Sequence, residues 1–119
     1  MARGSVQRGP IGETIAAVYL RRLGYRVVDR NVRTRRGEID LVARHGEELV
    51  FVEVKSWRRL PVEGLEHAID HRKQRRMVSV ARAYLTRNFS RYAALRQRFD
   101  VILIRDGGVA LHVVGAFEG

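Results

Sequence analysis

Val50-Phe51-Val52-Glu53-Val54-Lys55 is a run of β-branched and aromatic residues with two opposite charges set into it. Such a run reads as a core β-strand. Side chains alternate along a strand, so Glu53 and Lys55 share a face, on the order of 7 Å apart. Burying an uncompensated carboxylate or ammonium costs several kcal/mol. Both belong in so apolar a strand only if they meet a metal, a substrate or each other. Upstream, Glu38-Ile39-Asp40-Leu41-Val42-Ala43 is a second strand-like run, which puts Glu38 and Asp40 on one face. Two neighbouring strands thus offer Asp40, Glu53 and Lys55 to one place.

Outward from this pair, Ile11, Ile15, Val18, Tyr19 and Leu23 recur at helical intervals, with Gly24 placed to stop the helix. Residues 1–10 are basic and contain two glycines; a flexible arm is expected there, leaving 11–119 as a single domain. Tyr25 to Val32 reads as a strand, Thr34 to Gly37 as a turn, and His45 to Glu48 as a short connection between the two charged strands. The second of these extends over Leu49–Trp57. Arg58 to Gly64 is expected to be a loop and Leu65 to Ile69 a helical turn. Asp70 can cap a helix from His71, whose apolar face is Met77, Val80, Ala81, Tyr84 and Leu85. Strands over Asp100–Arg105 and Val109–Val114 flank Asp106-Gly107-Gly108, a hairpin signal. The order α-β-β-β-α-β-β predicts an α/β domain, a central mixed five-stranded sheet flanked by helices.

At 119 residues the chain is the size of one domain. It contains no cysteine, which excludes disulfides and thiolate zinc sites and fits a reducing cytoplasm. No apolar run approaches the roughly 20 residues of a membrane span, so no membrane partner is expected. The formal charge is +10, a field that favours polyanions, nucleic acid first and acidic membrane second. Of 23 basic residues 21 are arginine, so the two lysines, Lys55 and Lys73, stand out.

Phosphodiester cleavage needs an activated water, neutralised charge on the phosphate, and help for the leaving oxygen. Mg²⁺ or Mn²⁺ held by one or two carboxylates supplies much of this. Asp40 and Glu53 are hard oxygen ligands of that kind, and the backbone carbonyl of Val54 can join them. Lys55, charged, would stabilise the transition state. A same-face ion pair for Glu53 and Lys55, and a strand-end turn role for Asp40, are the structural alternatives.

The chain resembles the YraN-like family, a bacterial group placed within the PD-(D/E)XK nuclease superfamily. The residues that carry the resemblance are Gly12-Glu13, Leu23-Gly24-Tyr25, Arg30-Asn31, Arg36-Gly37-Glu38-Ile39-Asp40-Leu41, Phe51-Val52-Glu53-Val54-Lys55, Lys73-Gln74-Arg75-Arg76, Arg98-Phe99-Asp100-Val101 and Ala116-Phe117. It implies a restriction-endonuclease-like core. It also implies a metal-binding role for Asp40, the Glu-x-Lys pair in Glu53 and Lys55, and an assisting first-helix acid in Glu13. The superfamily's namesake proline is Ile39 here, a departure that removes no ligand. Junction resolvases in the superfamily work as dimers, which makes a homodimer an expectation that no surface of the sequence localises.

Arg36, Lys73, Gln74, Arg75 and Arg76 are candidates for contacts with a nucleic-acid backbone, with a solvated helix face as the alternative for the last four. His67 and His71 have metal-pair spacing but no accompanying HExxH pattern. Trp57 could stack on a base or seal the end of the sheet. Three functions follow: a metal-dependent nuclease acting on DNA, branched or structured DNA included; a non-catalytic nucleic-acid binder with the same fold; or an adaptor docking an acidic protein.

Overall fold

The computed structural model describes residues 2–56 and 69–119, the side chains of residues 2–10 excepted. The expected loop over 58–64, most of the turn over 65–69, Trp57 and His67 lie outside the described residues. The element order is α1 (Ala2–Arg22), β1 (Arg26–Thr34), β2 (Gly37–His45), β3 (Glu48–Ser56), α2 (His71–Arg87), α3 (Phe89–Tyr92), β4 (Arg96–Arg105) and β5 (Gly108–Phe117). The five strands form one sheet in sequence order. β3 and β4 are parallel and the other three pairings antiparallel, so the sheet is mixed, as expected.

The sheet separates two cores. On one face α1 contributes Ala16, Ala17 and Leu20, packed on Leu41, Ala43, Val50, Val52, Ile102 and Ile104. On the other, α2 contributes Met77, Val80, Ala81 and Tyr84, packed on Ile39, Val42, Leu49, Phe51, Phe99 and Leu103. β3 alternates strictly between them: Leu49 and Phe51 face α2, whereas Val50 and Val52 face α1. Buried on both faces, it reads as a nearly continuous apolar run, and that is why the sequence marks it so clearly.

Helix α1 departs from the periodic reading in two ways. Ile11, Val18 and Leu23, expected on its inner face, are exposed, whereas the smaller Ala16 and Ala17 are buried. Small residues let the helix approach the sheet closely. At Gly12 the approach is close, since a Cβ there would lie 2.6 Å from Ser56 Oγ. The helical backbone also reaches back to Ala2, well before the Ile11 start that periodicity suggests. Residues 2–10, expected as an arm, carry too few apolar side chains to extend the pattern. The predicted stop at Gly24 holds. With φ +92°, it lets its own N–H reach Arg21 O at 3.0 Å and the next N–H, that of Tyr25, reach Leu20 O at 2.9 Å.

Asp70 caps α2 as expected, accepting the Lys73 N–H at 2.8 Å. The hairpin after β4 turns through Asp106 and Gly107, both at positive φ. Helix α3, a single turn, has no counterpart in the periodic reading, because four residues are too few to show periodicity.

β2 carries the irregularity that makes the site. Ile39 enters the α2 core and Leu41 the α1 core, although residues two apart on a regular strand share a face. The strand therefore breaks its pleat at Asp40. Its partner does the same: Asn31 lies between the pairs Arg30–Leu41 and Val32–Ile39, with φ +52°.

Candidate active site

Asp40, Glu53, Lys55 and Lys73 converge at one end of the β2–β3 pair. The ladder between these strands ends at Leu41–Val52. One step further on, the side chain of Asp40 accepts the Val54 N–H at 2.8 Å. The break in the β2 pleat aims Asp40 at β3. Glu53 and Lys55 continue the row of Leu49 and Phe51 toward α2. Lys55 Nζ lies 3.6 Å from Glu53 Oε2. From the first turn of α2, Lys73 Nζ reaches the same oxygen at the same 3.6 Å. Both lysines of the chain thus meet one carboxylate oxygen.

The other oxygen of Glu53 is different. Oε1 is buried without a hydrogen-bond partner among the described residues, and Glu53 is 5% exposed. A buried unpartnered carboxylate oxygen is costly, and native proteins seldom leave one without a reason. Burial pushes the Glu53 carboxyl up to about 7, the neighbouring Asp40 adds to this, and the two ammoniums oppose it. Asp40 is likewise raised, by burial first, with the Val54 N–H and Lys73 pulling it back and Glu38 pushing it further up. Asp40 adds to the cost of ionising the buried Glu53, and a divalent cation between the two carboxylates would relieve that cost. Among the described residues no group of three or more His, Cys, Asp or Glu side chains is arranged to hold a metal. An ion held there would rest on two carboxylates and keep part of its water shell.

Residues 12–104 match the family described as "Uncharacterised protein family UPF0102". The chain belongs to that family. It is 44% identical over 113 residues to a UPF0102 protein of Syntrophotalea carbinolica, covering 92% of this chain and 90% of that one. A UPF0102 protein of Geobacter sulfurreducens is 45% identical over 114 residues, covering 92% and 88%. One of Mesorhizobium japonicum is 44% identical over 113 residues, covering 95% and 88%. The matched span contains Glu13, Asp40, Glu53, Lys55 and Lys73. Membership in UPF0102 and the mixed five-stranded fold agree with the nuclease-like scaffold that the motifs imply.

Glu13, also expected at the site, sits to one side of it. It is buried and its carboxyl is raised, by burial and then by Asp40, while a hydrogen bond from Asn31 and the charge of Arg30 oppose the rise. Arg30 Nη2 lies 3.9 Å from Glu13 and donates to Thr14 Oγ1 at 3.2 Å. Glu13 therefore touches the field of Asp40 from the α1 side, whereas Glu53 faces α2. Glu38 pairs with Arg33 at 3.2 Å.

The expected backbone-binding residues gather beside the site. The β1–β2 turn lies against α2: a Cβ at Gly37 would sit 3.6 Å from Arg76 Cβ, and Arg36 Nη1 reaches Ser79 Oγ at 3.4 Å. Arg36, Arg75 and Arg76 are exposed. Gln74, expected to meet a phosphate or water, donates to Ile69 O at 3.1 Å and so braces the start of α2. No acidic residue occupies the first turn of α2, although Lys73 stands against the helix dipole there.

One charged centre does not emerge from the sequence reading. Asp100, fully buried, accepts from Arg98 Nε at 2.9 Å and Nη2 at 2.8 Å, from His112 Nε2 at 2.7 Å and from the Gly115 N–H at 3.0 Å. Burial alone would push its carboxyl up, but the bonds from His112, Arg98 and Gly115 overcome this and hold it low. An ionised Asp100 only accepts, so His112 donates from Nε2, while its Nδ1 lies 2.9 Å from the Tyr19 hydroxyl. Arg98 also donates to Glu48 at 2.8 Å and to the Tyr25 hydroxyl. A signal is present in the chain: Arg98 and Asp100 repeat the i, i+2 opposite charges of Glu53 and Lys55. Asp100 is satisfied on both oxygens, whereas Glu53 Oε1 has no partner among the described residues.

Proposed function

We propose that this protein is a metal-dependent nuclease that hydrolyses phosphodiester bonds in DNA, with branched or structured DNA as the substrate class to test first. The observation that carries this is the buried Oε1 of Glu53, without a partner among the described residues, beside Asp40 and with two ammoniums on the opposite oxygen. Asp40, Glu53 and the Val54 carbonyl would hold Mg²⁺ or Mn²⁺, with Glu13 assisting from α1. When bound, the ion would lower the pKa of a coordinated water and offset charge on the phosphate.

This chain's own residues do the rest. The Val54 N–H fixes Asp40, so its orientation does not wait on the ion. Lys55, carried by β3 beside the two acids, would stabilise negative charge that develops on the phosphoryl oxygens. Arg36, Arg75 and Arg76, with Lys73 and Gln74 beside them, would hold the sugar-phosphate backbone without reading base sequence. Cytoplasmic location and a homodimer remain part of the proposal. Among the described residues, no helix is long and apolar enough to cross a membrane.

A second reading, a nucleic-acid binder without efficient catalysis, is favoured by one observation: Glu13 does not join Asp40 and Glu53 in a three-acid group. A panel of duplex, flap and junction DNA incubated with Mn²⁺ separates the two. Cleavage by the native protein that Lys55→Ala loses supports the nuclease. Tight, salt-sensitive binding with no cleavage by either protein leaves the binder.

A further inference from the structure

The sequence places Lys73 among the phosphate-binding candidates, yet its ammonium is engaged inside the site. It lies 3.6 Å from Glu53 Oε2, and its charge also lowers the proton affinity of Asp40. Its side chain is 28% exposed, so it can also reach solvent. Its backbone is fixed by the Asp70 cap at 2.8 Å, so only the flexible four-carbon stem need move. Without a divalent cation, Asp40 and Glu53 are balanced one for one by Lys55 and Lys73. A doubly charged ion on Glu53 and Asp40 would leave the site with excess positive charge. Lys55, on the same strand as Glu53, is tied to it by the spacing of β3. Lys73 comes from another element and borders Arg75 and Arg76, where phosphate would lie.

We propose, resting on the nuclease reading above, that Lys73 is an internal counter-ion that couples two binding events. In the ion-free protein it shares with Lys55 the neutralisation of Glu53 and Asp40. When a divalent cation takes those carboxylates, the Lys73 ammonium turns outward to a phosphate of the nucleic acid. A bound phosphate, in turn, draws Lys73 away and leaves the carboxylates to the cation. The coupling is reciprocal, as linkage requires. Lys73 is in this sense a positioning residue for charge, and its effect on the ion is opposite in sign to that of a ligand.

The test is calorimetric titration of Mn²⁺ into the native protein, Lys73→Met, Lys73→Arg and Arg82→Met, each first checked for a cooperative thermal transition. Arg82 is an exposed residue further along α2 and controls for loss of one charge. Lys73→Met is expected to bind Mn²⁺ about tenfold more tightly than the native protein, within the usual range of coupling effects. Arg82→Met should stay within about twofold of native and Lys73→Arg close to it. With a duplex carrying uncleavable phosphorothioate linkages present, the native protein should gain Mn²⁺ affinity and Lys73→Met should gain less. Equal or weaker Mn²⁺ binding by Lys73→Met, with the native protein binding, overturns the counter-ion role and leaves the nuclease reading standing. Absence of Mn²⁺ binding in all four proteins removes the metal reading and this coupling with it.

Discussion

The carboxylate of Asp40 accepts the backbone N–H of Val54 at 2.8 Å, one step beyond Leu41–Val52, the last pair of the β2–β3 ladder. A side chain thus does what a strand carbonyl would otherwise do. The N–H is satisfied, the strands are free to diverge, and a negative charge is delivered beside Glu53.

Asp40→Asn should therefore raise stability while weakening metal binding. The amide oxygen can still accept from Val54, but the charge that disfavours ionised Glu53 is gone. A gain of about 1 kcal/mol is expected at pH 7 without divalent ions, or roughly 4 °C in melting temperature. Calorimetry should show Mn²⁺ affinity reduced at least tenfold. A lower melting temperature or undiminished affinity would contradict the assignment.

Stability should fall as pH rises through the weakly acidic range. The folded Glu53 carboxyl, at about 7, lies above its ordinary value of 4.5. Between these pH values the folded state binds the proton and the unfolded chain does not, so each step up in pH favours unfolding. The loss should be on the order of 2 kcal/mol and level off above about pH 7. Urea denaturation at pH 5 and pH 7.5 measures it, and Glu53→Gln should lack this component. An equal fall in both proteins would place the effect elsewhere. Asp100, held low, acts with the opposite sign. Its contribution is present above its ordinary 3.8 and is lost only in stronger acid.

Lys55→Ala should reduce the single-turnover cleavage rate by on the order of 100-fold or more, the scale of losing one transition-state charge partner. Folding and DNA affinity should change little, since the side chain is about one-third exposed. Unchanged turnover would end the assigned role.

Removing Arg36, Arg75 or Arg76, each to Gln, should weaken DNA binding uniformly across sequences. Where the arginine meets a phosphate, its removal should make the log–log salt slope on duplex DNA shallower by about 0.9. A fluorescence titration at several salt concentrations reads this directly. A native slope near zero would set aside nucleic acid altogether.

Asp100→Ala should be the most damaging single change outside the site. It leaves the guanidinium of Arg98, which is 13% exposed, without its main partner, a destabilisation on the order of 3–5 kcal/mol. Denaturant midpoints would show it. Whatever fraction folds should bind Mn²⁺ as the native protein does, which distinguishes a pillar of the fold from a ligand.

Much of this is legible in the residues because the informative interactions are local. The alternation of Leu49 to Lys55, the Asp70 cap and the Gly24 stop each depend on neighbours within a few positions, and each stands where expected. What depends on distant partners is not legible. β4 starts at Arg96 and not at Asp100 because polar Arg98 is drawn in by Asp100, Glu48 and Tyr25. The buried face of α1 follows Ala16 and Ala17, whose small size matters only once the sheet is opposite. Asp40 and Glu53 can be paired from motif and spacing. The arrival of Lys73 from the far side of the β3–α2 connection cannot, and helical spacing alone puts it on the surface.

The reach of Lys73 also bears on when the charges of the site come into balance. Strands β2 and β3 are close in sequence and can bring Asp40 to Glu53 by themselves. The second ammonium arrives only after the crossover helix has docked against the sheet. A growing chain on the ribosome would therefore carry two acids against the single ammonium of Lys55 until that late step, and would balance them only when the whole domain had closed.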